Sequence, residues 1–217
     1  MLKFWGKALF LLVSIFGQSS SIAEEASAYI FAGYGSSTTK ELYQQIGCEY
    51  KKNGIEPVFV EIDWSTGDIV DYIEQAKKIV SKRQESKRYF YGFSLGGLIA
   101  LALSKDLEPS SIVISSVAPF FKEDIESLRW FHPQKIYNWY LFGSSESVSA
   151  EKLVSEINQT NAKVVLLVGS EEKEVMLKRS KLLANALTNG ELVVMKNVGH
   201  GISEPSHMEY IIQAVNK

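Results

Sequence analysis

Six short apolar runs of β type recur along this 217-residue chain, and five of them lead directly into a longer stretch of helical period. "AYIFAG" (28–33), "PVFVEIDW" (57–64), "RYFYGF" (88–93), "SIVISSVAP" (111–119), "KVVLLVG" (163–169) and "ELVVMKNV" (191–198) read as strands. Residues 38–54, 68–84, 95–107, 175–190 and 204–217 carry the helical spacing, with Gly54 as a stop signal for the first. Strands that are apolar throughout are buried on both faces, and helices between successive strands are parallel crossovers. The expected class is therefore α/β: a mostly parallel sheet of about six or seven strands with helices on both faces. In such sheets ligands bind outside the carboxyl ends of the strands, so chemistry is to be sought in the residues just after each run.

Two stretches stand outside the alternation. The chain opens "MLKFWGK", then "ALFLLVSIFG", then "QSSSIA" before "EE". A cationic start, a short apolar core and small residues at Ser21 and Ala23 make the pattern of a signal peptide, residues 1–23, cleaved after Ala23. The apolar run is too short for the roughly 20 residues that span a bilayer, so no membrane span is expected after cleavage. The second stretch, about 120–158, is rich in aromatic residues, does not alternate, and is too short for a domain of its own; it reads as an excursion of short helices.

The net charge of −2, with no basic stripe, gives no reason to expect nucleic acid as a partner. Cys48 is the only cysteine, so the fold rests on its core without an internal disulfide. An exported chain without disulfides fits a bacterial periplasm or the medium. The histidines lack metal-ligand spacing, and there is no P-loop or G-x-G-x-x-G, so neither metal nor organic cofactor is implied.

Ser94 lies in Gly92-Phe93-Ser94-Leu95-Gly96, a G-x-S-x-G match placed between a strand and a helix. A serine hydroxyl is a weak nucleophile near neutrality and needs a base, a group to orient that base, and donors for the oxyanion. His200, between glycines directly after the last strand, is the candidate base; His132 and His207 read as ordinary surface or core residues. The acid is expected just after "KVVLLVG", where Glu171, Glu172 and Glu174 are all available. The N–H of Leu95 is one oxyanion donor by position. The second is expected from "AGYG" after the first strand, at Tyr34 with Gly33 as the alternative.

With these residues in place, the chain from about Ala28 to Lys217 resembles the α/β-hydrolase family, as a small, capped serine hydrolase. The resemblance implies Ser94 as nucleophile, through "GFSLGG", and His200 as base, through "GHG". It places the acid three residues after the glycine that ends the strand, which from Gly169 is Glu172, a Glu where Asp is commoner; a rarer arrangement would use Glu123 or Asp124. Ala32 stands where the family often has a histidine, which leaves a backbone donor role intact. The family's cap falls at the excursion, where Phe120, Phe121, Trp130, Phe131 and Trp139 are candidate walls of an acyl pocket. The activity implied is hydrolysis of a small-molecule carboxylic ester or thioester through an acyl-enzyme. A peptidase, an acyltransferase and a non-catalytic hydrolase-like binding protein are the rival readings.

Overall fold

Six parallel strands hydrogen-bond into a single sheet in the order β2-β1-β3-β4-β5-β6. They are β1 (Ala26–Phe31), β2 (Glu56–Val60), β3 (Lys87–Phe93), β4 (Ser111–Ser115), β5 (Lys163–Gly169) and β6 (Gly190–Met195). Between and after them run α1 (Glu41–Lys52), α2 (Ile69–Val80), α3 (Leu95–Leu107), α4 (Lys122–Ser127), α5 (Ala150–Ile157), α6 (Glu174–Ala186) and α7 (Pro205–Val215). The structure is a computed structural model that describes residues 26–65, 67–118, 121–127, 148–200 and 205–216. The expected signal peptide (1–23) lies outside these residues, as do His132 and Phe120, Trp130, Phe131 and Trp139 of the expected pocket.

The two-residue period of the strands sorts their side chains onto two cores. Tyr29 and Phe31 of β1, Ile112 and Ile114 of β4, and Val164 and Leu166 of β5 meet α2, α3 and α5 on one face. Ala28 and Ile30, Val113, and Val165 and Leu167 meet α1 and α7 on the other. Helix α3 is buried almost all round from Leu95 to Ser104, as its apolar sequence requires, and exposes only Lys105 and Asp106 in its last turn. Helix α2 has one apolar side and is held at its start by a capping box: Asp68 accepts from the N–H groups of Val70 and Asp71, and Asp71 accepts from that of Asp68.

The chain winds from β1 outward to β2 and then returns past β1 to β3, so the direction of winding reverses between β1 and β3. Right-handed crossovers then put α1 on one face and α2 and α3 on the other, as observed. The crevice at the carboxyl ends of β1 and β3 is the topological switch point, where ligands of open α/β sheets bind.

Two differences from the sequence reading have local causes. The second strand stops at Val60 rather than continuing to Trp64. Beyond it, Glu61 turns its carboxylate to the Thr38 N–H at 2.8 Å and to the Ser37 hydroxyl at 3.1 Å, and Asp63 accepts from the Ser65 N–H at 2.9 Å. Within the 120–158 stretch, Val148, Ala150, Leu153 and Ile157 belong to the core below the sheet. Helix α5 is thus the crossover between β4 and β5, and its capping residue Ser149 accepts from the Lys152 N–H. Among the described residues the excursion retains only α4; residues 128–147 lie outside them.

Candidate active site

Strands β3, β4, β5 and β6 are consecutive in the sheet, and Ser94, Ser116, Glu172 and His200 come after them in that order; of these, Glu172 and His200 are in contact and Ser116 bears on Glu172. The turn at Ser94 is sharp. Its φ of 52° and ψ of −115° are unusual for a residue with a Cβ, and the conformation is held by backbone bonds on both sides of the residue. Ser94 N–H donates to the Ser115 carbonyl at 3.0 Å, and its own carbonyl accepts from Gly97 at 3.1 Å and Ala118 at 3.2 Å.

The flanking glycines are demanded by close approach. A Cβ on Gly92 would stand 2.5 Å from the Gly97 Cα, and one on Gly96 would stand 2.4 Å from the carbonyl oxygens of both Phe31 and Ala32. Lacking those atoms, the first turn of α3 lies directly against the end of β1. That contact sets the start of α3 against Phe31 and Ala32, which directly precede the loop of Gly33 and Tyr34, and the Leu95 N–H is one of the helix-initial donors without an intrahelical acceptor. Within that loop the Gly33 N–H is already given to the Tyr43 hydroxyl at 3.1 Å, and the Gly33 carbonyl closes a turn with the Ser36 N–H at 3.0 Å. The Gly33 donor is therefore already engaged within its own side of the fold. The Tyr34 ring packs edge-on against Trp64 at 5.5 Å, whose indole N–H donates to the Ser36 carbonyl at 3.0 Å. This aromatic support is not visible in the sequence, because Tyr34 and Trp64 follow different strands.

Gly169 does for His200 what Gly96 does for the loop. A Cβ there would stand 2.0 Å from the Val198 carbonyl oxygen, so only glycine lets the segment after β6 cross the end of β5. The crossing is pinned by the Glu171 N–H on the Val198 carbonyl at 3.0 Å and the Asn197 N–H on the Ser170 hydroxyl at 2.9 Å. His200 then lies with its Nδ1 3.2 Å from each oxygen of Glu172. Its ring leans on that of Phe93, next to Ser94, at 5.2 Å between centroids. The His200 side chain is 48% exposed, whereas that of Glu172 is fully enclosed.

Burial alone would push the Glu172 carboxyl up. The hydrogen bond with His200, the neighbouring Ser116 and the electrostatic influence of His200 and His207 outweigh it and hold the group below the ordinary glutamate value. Glu171 and Glu174 are exposed, and Glu174 opens α6. The acids after β4 are engaged elsewhere. Glu123 accepts from Ser149 Oγ at 2.7 Å and Ala150 N–H at 2.9 Å, at the start of α5, and Asp124 is gripped by Arg179 through Nε at 2.9 Å and through Nη2. Of the five acids considered from sequence, the structure brings only Glu172 to His200.

Phe121, expected on a pocket wall, is instead fully buried in the core, with the Arg179 guanidinium 5.0 Å above its ring. Two residues near the acid escaped the sequence reading. His207, read as an ordinary surface or core residue, is completely buried on α7, and what was not foreseen is its electrostatic influence on Glu172. Ser116 carries the one signal that could have found it, its place immediately after a strand. Among the described residues no cluster of three or more His, Cys, Asp or Glu could hold a metal ion, and no helix is long and apolar enough to cross a membrane.

The six-stranded parallel sheet, with Ser94 on a sharp turn at its switch point and a late histidine on a buried acid, has the α/β-hydrolase fold. No protein-family model and no curated protein matches the sequence; likeness is found among solved structures. Est1E from Butyrivibrio proteoclasticus with ferulic acid bound superposes with a TM-score of 0.71 at 13% identity, over 90% of this chain and 89% of that one. Mouse alpha/beta hydrolase domain-containing protein 10 gives 0.65 at 14% identity, over 88% of each chain. A monoacylglycerol lipase of Paleococcus ferrophilus gives 0.62 at 16%, over 88% of this chain and 95% of that one.

Proposed function

We propose that this protein is an exported serine hydrolase that cleaves a carboxylic ester or thioester through an acyl-enzyme on Ser94. The observation that carries the reading is the enclosed Glu172 carboxylate on Nδ1 of His200, a contact with little purpose except to fix the tautomer whose Nε2 accepts a proton. In the forward step the Ser94 oxygen bonds to the substrate carbonyl carbon while its proton passes to Nε2 of His200. Glu172 stabilises the imidazolium so formed, and the carbonyl oxygen, now anionic, accepts from the N–H groups of Leu95 and Tyr34. Collapse expels the alcohol or thiol, which takes the proton from Nε2. Water then repeats the sequence on the acyl-enzyme and releases the acid and free Ser94.

The structural neighbours support an ester rather than a peptide: one is named as a monoacylglycerol lipase, and another holds ferulic acid. Export rests on the signal-peptide pattern of residues 1–23, and the periplasm or medium is the compartment it implies. A fluorophosphonate probe, together with acyl esters and thioesters of rising chain length, tests the reading. The wild-type protein labels and turns over substrate, and Ser94→Ala does neither. Equal labelling of both proteins, or faster turnover of peptides than of short esters, would overturn it.

A further inference from the structure

The half-exposed His200 is held by two contacts that differ in kind. Glu172 takes its Nδ1 edge, with both oxygens at 3.2 Å, and Phe93 offers a ring, 5.2 Å away between centroids and inclined by 39°. Among the described residues these are the hydrogen bonds and the ring contact of the imidazole. A bond at one nitrogen leaves a side chain with a broad χ2 torsion free to swing about that bond, and a neighbouring ring within contact range removes the freedom. Phe93 is fixed in its turn. It is the last residue of β3, paired in register with Ser115 of β4 and followed by the strained turn at Ser94. Its ring packs against the core that meets α1 and α7, and one edge of it reaches the loop after β1. A Cβ on Gly33 would stand 2.9 Å from Cδ1 of that ring and 3.3 Å from Cε1. One side chain thus touches both the base and the loop expected to supply an oxyanion donor.

We propose that Phe93 is a positioning residue of this site, its ring fixing the plane of the His200 imidazole and tying that plane to the place of the Gly33 loop. The inference rests on the proposed triad of Ser94, His200 and Glu172. Phe93 moves no proton and acts through His200 alone. Swinging about the Nδ1 bond would carry Nε2, the atom that must take the Ser94 proton, along an arc, and the ring contact stops that swing. An aliphatic side chain of similar bulk fills the same part of the core but offers no flat face to the imidazole. Gly33 has its identity for a related reason: a methyl group there would stand where the ring edge lies, so the ring would have to shift, and with it the support of the base.

The test compares Phe93→Leu, Phe93→Tyr, Gly33→Ala and the double variant carrying Phe93→Leu with Gly33→Ala against wild type in the full chain. It measures kcat and KM for an activated acyl ester, the rate of fluorophosphonate labelling, and thermal unfolding. In Phe93→Leu, kcat and the labelling rate fall together by roughly fivefold, which at 1.36 kcal/mol per decade is the ~1 kcal/mol of an aromatic pair, and KM is unmoved. Phe93→Tyr keeps the ring and restores both rates. Gly33→Ala lowers kcat by a similar factor when Phe93 is present and costs less once leucine has replaced the ring, so the double variant is less impaired than the two single effects multiplied. Wild-type kcat in Phe93→Leu, a Phe93→Tyr as slow as Phe93→Leu, or single effects that multiply unchanged would each overturn this inference, while turnover and labelling of wild type leave the triad standing. A wild type with neither turnover nor labelling would overturn both. Should Phe93→Leu fail to fold, Phe93→Met, also apolar and without a ring, takes its place in every comparison.

Discussion

Replacing Glu172 by glutamine probes the proposed mechanism at its most enclosed point. The side chain is fully buried and presents both oxygens to Nδ1 of His200 at 3.2 Å, so the substitution changes charge and donor pattern while keeping volume. An amide at that position turns its NH2 toward Nδ1 and selects the tautomer with the proton on Nε2, which cannot accept the Ser94 proton. The imidazolium also loses its counter-charge in an environment shielded from water. In the worked case of the chymotrypsin-type triad, the same change of acid to amide lowers kcat by about 10⁴. At 1.36 kcal/mol per decade, that is about 5 kcal/mol of transition-state stabilisation. His200 here is half exposed, and solvent offsets part of the loss, so the expected fall in kcat is about 10³, with KM little changed.

The variant also changes how stability depends on pH. Because the folded-state value of Glu172 is depressed, its contribution to stability is present above the ordinary glutamate pKa and lost as pH falls through the folded value. Glutamine removes that portion of the acid-side loss. Steady-state hydrolysis of an activated ester, with unfolding followed from neutral to acid pH, reads both effects. Glu172→Gln turning over within threefold of wild type would refute the assignment of the acid, and with it the argument from burial.

Gly169→Ala sets a Cβ against the Val198 carbonyl oxygen, forces the segment that carries His200 away from β5, and destabilises the protein by about 1–3 kcal/mol. Thermal unfolding registers each kcal/mol as roughly 2–4 °C for a domain of this size, and turnover falls more than the stability loss alone explains. Glu123→Ala removes the acceptor of the Ser149 hydroxyl and the Ala150 N–H, costs about 1 kcal/mol, and leaves kcat unchanged. Burial raises the Glu123 pKa, but its hydrogen bonds bring it below the ordinary value, so the wild-type advantage over this variant is present above the ordinary glutamate pKa and shrinks as pH falls through the folded value.

What could be read from the sequence follows the range of the interactions involved. All six strands and the placement of Ser94 and His200 after them rest on local pattern, and α3 spans residues 95–107, as its apolar run requires. The acid was legible only as a choice among neighbours. Glu171, Glu172 and Glu174 are chemically alike, and what separates them is that the turn after Gly169 sends the middle one inward. Ser116 and His207 were beyond reach, since their bearing on Glu172 arises from the pairing of β4 with β5 and from the docking of α7, contacts between residues far apart in the chain. Phe121 shows the same limit from the opposite side: an aromatic residue after a strand has the composition of a pocket wall and of a core residue alike, and its burial under Arg179 decides for the core. The end of the second strand was missed because "VEIDW" keeps the alternation of a strand, while Glu61 and Asp63 spend their carboxylates on nearby turns.

Under the proposed mechanism, the uneven burial of the site is itself functional. The charge that must persist through the cycle, on Glu172, is the one withdrawn from water, where hydrogen bonds from fixed neighbours replace hydration and the attraction to an imidazolium is weakly screened. The charge that must appear and vanish, on His200, belongs to a ring left 48% exposed, so neither protonation state carries a full desolvation cost. The same exposure admits the water that hydrolyses the acyl-enzyme, from the solvent side of His200 and opposite its buried acid. Enclosing His200 as deeply as Glu172 would favour the neutral ring and starve deacylation of water. Exposing Glu172 as far as His200 would screen the pair and free the acid to rotate. Gly169 allows the difference, because the segment after β6 crosses low enough over β5 to bring Nδ1 down to the buried carboxylate while the rest of the imidazole stays at the surface.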